Sequence, residues 1–483
     1  MHKNEPTDPM NQAIADYYRC PEILANCQLA GRLSADPGYF CFGPETICYG
    51  NSSSGFRSKQ VTGPLYDALP HVTTGSGTVR LPLDTHEIIE NLRHERYRDN
   101  RDRGRTGLGD SPMVQNIYYW LRPFLPVAIR KHLQRARLSD WKNIPFPRWP
   151  VDRTVELILE RLLALSMKAQ GIHSVPFVWF WPDSATSCAI MTHDVEQLAG
   201  RNFCSQMMDL DDSAGIKSSF QIVPEERYPI PEGLLEEIRN RGFEVNIHDL
   251  NHDGHLFSSR EEFLRRAERI NRYARRYRAL GFRSGALYRN PAWYGALEFS
   301  YDMSFPSVAH LDAQRGGCCS LMPFFIGKIL ELPLTTIQDY SLFHILNDYS
   351  IDLWKRQIAS ITEKHGLTSF LVHPDYVIEK RARTTYQALL EHLAQMRKEQ
   401  KIWIALPCEV DRWWRERSQM TLTRRGDRWE IEGPGQQRAR IAYAHLEGGG
   451  VVYHLEAAHL RPPLTDTGSH KAACHKSAFE RGT

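Results

Sequence analysis

Two short stretches concentrate the residues able to do chemistry. Met191-Thr192-His193-Asp194-Val195-Glu196 follows the apolar run Cys188-Ala189-Ile190 and delivers two carboxylates two positions apart. Further along, Ile247-His248-Asp249-Leu250-Asn251-His252-Asp253 opens from an apolar run onto two histidines four apart. Two imidazoles and one carboxylate make a set of the kind that suits zinc and other divalent transition metals. One acid is enough to complete it, which leaves the other free as a base. At a strand end, side chains at i and i+2 point the same way, so both acids can face one site. A helix-like turn would bring His248 and His252 to one side. Taken alone, an Asp-x-Glu is usually a solvated strand end. Directly after a buried apolar strand, such carboxylates need a partner.

Two more positions repeat the pattern of an apolar run ending in a functional group. Phe370-Leu371-Val372-His373-Pro374-Asp375-Tyr376 places an imidazole where it suits general acid work near neutral pH. In Gly281-Phe282-Arg283-Ser284-Gly285, Arg283 could hold a carboxylate in place, and a plain salt bridge at a sheet edge explains it equally well. Arg289, Trp293, Asp302 and Tyr376 are the expected substrate contacts.

The elements that must position these groups read as an alternating α/β pattern over residues 151–415. Val155–Met167 has helical apolar spacing, and Ile144-Pro145-Phe146-Pro147-Arg148-Trp149-Pro150 marks a boundary before it. The strand candidates are Cys188–Thr192, Phe220–Val223, Phe243–His248, Leu367–His373 and Ile402–Leu406. Amphipathic stretches lie between them: Leu234–Asn240, Arg260–Leu280, Asp352–Lys364 and Tyr386–Glu399. Such alternation predicts a mostly parallel sheet, open or closed into a barrel, with the site at the C-terminal strand ends.

On either side the composition changes. Residues 1–18 read as a polar, flexible N-terminus, 19–150 as a β-rich and helical accessory region, 416–460 as a small β appendage and 461–483 as a disordered tail. The basic stretch Ile129–Arg137 could rest on an anionic membrane surface, although a surface helix packed on the main domain is the plainer reading.

At 483 residues the chain is too long for one ordinary core. Its 60 basic and 57 acidic residues leave a net charge of +3, which gives no argument for nucleic acid as the main partner. The ten cysteines include no Cys-x-x-Cys pair, so neither a zinc ribbon nor a disulfide scaffold is indicated. Cys318-Cys319 reads as buried packing. The N-terminus has no apolar signal core, and no stretch approaches the roughly 20 apolar residues that span a bilayer. Cytoplasmic residence is the simplest expectation.

Together these positions resemble the polysaccharide deacetylase (NodB-homology) family of metal-dependent carbohydrate esterases. That family carries Thr-Phe-Asp-Asp-Gly, then His-x-x-x-His, an Arg-Pro motif, an aspartate motif and a late Leu-x-x-His. Thr192-His193-Asp194 stands for the first, His248–His252 for the second, Phe282-Arg283 for the third, Tyr301-Asp302-Met303-Ser304 for the fourth and Phe370–His373 for the fifth. The resemblance spans residues 185 to 410 and implies a distorted parallel (β/α) barrel. It further implies Asp194 as general base, His248 and His252 as metal ligands, Arg283 as the residue orienting the base and His373 as general acid. The chain departs from the family where the adjacent second Asp is Val195, with Glu196 the nearest replacement as metal ligand and Asp194 the alternative, and where the Pro after the motif-three Arg is Ser284, although Arg289-Asn290-Pro291 offers a second Arg and a Pro close by. The implied activity is removal of an acyl group, acetyl first among them, from an amino sugar or glycan intermediate. The rival readings are a cyclic amide or imide hydrolase of the same fold and a catalytically silent glycan-binding protein.

Overall fold

The structure is a computed structural model that describes residues 9–21, 26–98 and 138–456. The stretch Ile129–Arg137 and the tail 461–483 lie outside the described residues. The chain enters through α1 (Pro9–Tyr18), which buries Met10, Ile14, Tyr17 and Tyr18. The expectation of a flexible segment as far as residue 18 is therefore corrected for residues 9–18, where spaced apolar side chains give the helix a face to bury. Next come β1 (Cys27–Leu29), a hairpin of β2 (Gly38–Cys41) and β3 (Ile47–Gly50), and β4 (Thr73–Gly75) with β5 (Thr78–Leu81). In α2 (Thr85–Arg93), Asp84 caps the N-terminus by accepting from the His86 and Glu87 N–H groups at 2.9 and 3.1 Å. Its Ile88, Ile89 and Leu92 face inward.

After α3 (Thr154–Gln170) and β6 (Ser174–Val178) the central sheet begins. It contains β7 (Cys188–Val195), β8 (Ser219–Ile222), β9 (Glu244–His248), β10 (Gly281–Arg283) and β11 (Tyr301–Asp302), then the antiparallel edge strand β12 (Phe324–Ile326) and β13 (Ile329–Glu331). Strand β14 (Leu367–Leu371) pairs with β7 on one side, while β15 (Trp403–Ala405) and β8 share its other side. All of these pairings except β12–β13 are parallel. Strands β7, β8, β9, β10 and β14 are buried along their whole length; β7 opens as the apolar run Cys188–Met191, whereas β8 and β9 alternate polar and apolar residues and enclose both sets.

The sheet curls but does not close as a ladder. Between β13 and β14 the gap is crossed by hydroxyls: Thr335 Oγ1 donates to the Leu367 carbonyl and Thr336 Oγ1 to that of Ser369, both at 2.7 Å. Helices α4 (Leu198–Ser213), α5 (Glu232–Asn240), α6 (Arg260–Arg276), α7 (Asp352–Thr362), the short α8 (Pro374–Val377), α9 (Lys380–Glu399) and α10 (Pro407–Ser418) alternate with the strands. In α6, Phe263, Ala267, Ile270 and Ala274 recur at helical spacing and are buried, and Ser259 caps the first turn by accepting from Glu262 N–H at 3.1 Å.

The C-terminal hairpin of β16 (Thr421–Arg425) and β17 (Arg428–Glu432) precedes β18 (Ile441–Glu447) and β19 (Gly450–Leu455). β18 pairs antiparallel with β6, so this part is woven into the body of the protein rather than appended to it. One apolar cluster holds Tyr17, Tyr18, Phe40, Leu159, Phe177, Trp181, Trp413 and Ala442 together, and packing thus continues across the boundaries expected near residues 150 and 415.

Candidate active site and metal centre

Parallel strands present their C-terminal ends on one side, and the acids and imidazoles meet there. Asp194 is the last residue but one of β7, with Glu196 just beyond the strand; His248 ends β9; Arg283 ends β10; His373 follows β14 by two residues. Arg283 is fully buried and donates through Nη1 to Asp194 Oδ1 at 3.0 Å and to Thr192 Oγ1 at 2.8 Å. Its Nε donates to the Met303 carbonyl at 3.0 Å, so the guanidinium is pinned on two sides. Burial alone would raise the Asp194 carboxyl, but Arg283, His248 and His373 hold it below the usual carboxylate range.

Glu196 Oε1 sits among three imidazoles, 2.9 Å from His252 Nε2, 3.4 Å from His373 Nε2 and 3.8 Å from His248 Nε2. Against the cost of burial, these partners hold its carboxyl well below the usual range, with His252 the strongest. The ligating atoms of Glu196, His248 and His252 lie within 4.8 Å of one another. His248 Nδ1 is 3.1 Å from the Arg283 carbonyl, a pure acceptor, which assigns the proton to Nδ1 and leaves the Nε2 lone pair facing the acids. His248 Nε2 and both ring nitrogens of His252 are buried without hydrogen-bond geometry to any described residue. Buried, unsatisfied nitrogens beside a carboxylate are the donor set a divalent cation takes, so these residues fit one.

The histidine pair is not on a helical turn. Asp249 and His252 have φ of 56° and 53°, and the chain between them forms a tight loop. The reason lies in Asp249: its Oδ1 accepts from Leu250 N–H at 2.6 Å and its Oδ2 from Gly285 N–H at 3.2 Å, tying the loop after β9 to the loop after β10. A Cβ at Gly285 would lie 2.3 Å from Asp249 Oδ2, so this approach needs glycine.

His373 Nδ1 is 2.6 Å from Asp339 Oδ1, and its backbone N–H donates to Asp339 Oδ2 at 2.7 Å. Burial opposes charge on this ring, but Asp339 and then Glu196 raise its pKa well above the ordinary imidazole value. Asp339 is the residue that sequence reasoning missed. It stands in a loop after β13, and its only signal is an acid placed a few residues beyond the apolar Leu332-Pro333-Leu334.

The other expected contacts are placed differently. Tyr376 is beside His373, with ring centroids 4.9 Å apart. Asp302 lies buried in β11, accepting from Ser304 Oγ at 2.6 Å and facing Glu331 across the β11–β13 pairing. Arg289 is buried and donates to both oxygens of Glu95, at 2.5 and 2.9 Å. Trp293 packs on Phe257 and Phe263.

No family model and no curated protein sequence matches this chain. Several solved structures similar to it are polysaccharide deacetylases, at low identity and over about half of the chain. One described as such from Mycobacterium smegmatis shares 15% identity over 49% of this chain and 93% of its own, with a TM-score of 0.41. One from Pseudomonas aeruginosa PAO1 shares 11% over 48% and 92%, with a TM-score of 0.38. Puue allantoinase shares 12% over 48% and 92%, with a TM-score of 0.36.

Proposed function

We propose that this protein is a metal-dependent hydrolase of the polysaccharide deacetylase type, removing an acyl group, acetyl first among them, from an amino sugar or glycan intermediate. The observation that carries the reading is the convergence at one strand-end face of an Arg-paired Asp194, the Glu196–His248–His252 set and the Asp339-paired His373. Glu196, His248 and His252 would hold a divalent cation, and nitrogen and carboxylate donors of this kind suit zinc. When bound, such a cation supplies polarisation of a carbonyl and acidification of water.

The chain's own groups account for the proton transfers. Asp194 is kept ionised by Arg283 and takes the proton of the attacking water. His373 holds its Nδ1 proton on Asp339, so the proton it can give is on Nε2, and the departing amine nitrogen receives it. The products are a free amino sugar and a carboxylic acid. Arg283 does not touch the substrate in this scheme; it fixes the base. General acid–base assistance of this sort contributes roughly 10²–10⁴ in rate.

The test is zinc content and acetate release from N-acetylhexosamine oligosaccharides. The wild-type protein should bind about one equivalent of Zn²⁺, and the combined His248→Ala, His252→Ala variant should bind none. Asp194→Asn should retain zinc and lose turnover by at least about 10². Equal zinc in the wild type and the double variant would remove the metal reading. Turnover of cyclic ureides with no acetate released from N-acetyl sugars would move the substrate to a cyclic amide.

A further inference from the structure

Glu196 raises a problem of geometry. It follows Asp194 by two positions, at the point where β7 ends and before α4 begins at Leu198, so no ladder holds its backbone. The last pairing between β7 and β8 is Val195 with Ile222. Beyond it, the two strand ends are bridged by the hydroxyl of Tyr228, which accepts from Val223 N–H at 3.2 Å and donates to the Val195 carbonyl. The hydroxyl thus stands where a parallel ladder would add its next rung, and it parts the strands by the width of one oxygen. The neighbouring Arg227 donates through Nε to the Glu196 carbonyl at 3.0 Å. Two consecutive side chains of one loop therefore hold two consecutive carbonyls, those of the residue before the acid and of the acid itself. Tyr228 is buried and Arg227 half-buried, so both contacts are shielded from competing water.

We infer that Tyr228 and Arg227 are positioning residues that aim the Glu196 carboxylate at His248 and His252, and so allow a glutamate two residues after the base to complete the cation site. The inference rests on the metal reading above. Neither residue reaches the imidazoles in any hydrogen bond described; each acts through the Val195–Glu196 backbone. Loss of either leaves Glu196 free to sample other directions, and outer contacts of this type typically carry 10- to 100-fold in metal affinity.

The experiment measures Zn²⁺ affinity of the full chain by competition with a chromophoric chelator, with circular dichroism and the melting temperature of the metal-free protein followed alongside. Tyr228→Phe and Arg227→Gln should each weaken Zn²⁺ by about 10- to 100-fold with secondary structure retained. Adding Tyr228→Phe to Glu196→Ala should weaken the residual affinity no further, because the carboxylate being aimed is gone. A general loss of structure would not produce that non-additivity. Wild-type affinity in both single variants overturns the inference and leaves the metal reading intact. An undiminished effect of Tyr228→Phe in the Glu196→Ala background overturns it as well. Absence of Zn²⁺ binding by the wild type sinks both together. Should Tyr228→Phe fail to fold, Arg227→Gln alone decides.

Discussion

At the scale of single residues, the groups ending apolar runs were legible in the sequence, Arg283 among them, and the acid behind His373 was not. Asp194 and His248 lie at the ends of buried strands and Glu196 and His373 just beyond them, where a titratable side chain is conspicuous because it needs a partner. Asp339 stands well beyond the end of β13, and its meaning comes from the 2.6 Å contact with His373 Nδ1, a residue 34 positions later. The surroundings of Asp302 and Arg289 were illegible for the converse reason, since residue type and order cannot show that an acid faces Glu331 or that a guanidinium is paired with Glu95. The Asp339 contact carries a prediction of its own. Asp339→Asn keeps the size of the side chain but removes the charge that favours imidazolium at His373. We expect turnover to fall by roughly 10²–10⁴ with zinc content unchanged. Kinetics on the zinc-loaded variant checks this, and an unaltered kcat would show that His373 needs no acid behind it.

At the scale of elements, strands and helices were largely readable because they differ in period. β7 opened as a continuous apolar run, β8 and β9 alternated polar with apolar, and α6 gave Phe263, Ala267, Ile270 and Ala274 at helical spacing. Their neighbours were not readable, because pairing depends on the register of distant segments. The base of the sheet illustrates what such pairing brings together. Glu244 opens β9, accepts from Tyr301 on β11, from Asn246 at 3.1 Å and from the Cys408 N–H of α10 at 3.2 Å. Burial pushes its carboxyl up to about 7, despite these hydrogen bonds. An unfolded glutamate titrates near 4.3, so the folded state favours the protonated form. That contribution is fully present below about pH 4 and is lost as pH rises through 7. The difference corresponds to a loss of about 4 kcal/mol across this window. Glu244→Gln removes the titration and keeps one acceptor oxygen. Thermal melts from pH 4.5 to 8 should show a wild-type stability that falls with pH more steeply than that of the variant. Parallel curves would mean that Glu244 is ionised in the folded protein at the lower pH.

At the scale of the whole molecule, the sequence suggested three structured parts laid end to end, and the structure interleaves them. Composition changes near residues 150 and 415 are real, but they mark changes of element type rather than ends of packing. β6 receives β18 from more than 260 residues away, through the register Val178 with Ile441 to Ser174 with His445. Tyr18 of α1 meets Phe177 with ring centroids 5.5 Å apart, and its hydroxyl is 2.7 Å from that of Tyr453 on β19. The Glu95–Arg289 pair, fully buried, locks the end of the N-terminal part to the loop after β10, close to the site. Cutting the chain to residues 151–415 would expose the faces of α3 and β6 and strand Arg289 without its carboxylate. An unpaired buried charge costs about 3–5 kcal/mol, a large part of the roughly 5–15 kcal/mol that holds an ordinary domain folded. The isolated 151–415 segment should therefore be insoluble, or soluble only as a species that binds ANS and lacks near-ultraviolet ellipticity. Residues 9–456 should instead melt in one transition with equal calorimetric and van't Hoff enthalpies. Two resolved transitions in that longer chain, together with a well-packed 151–415, would show that the sheet holds its site unaided and that the flanking parts only rest against it.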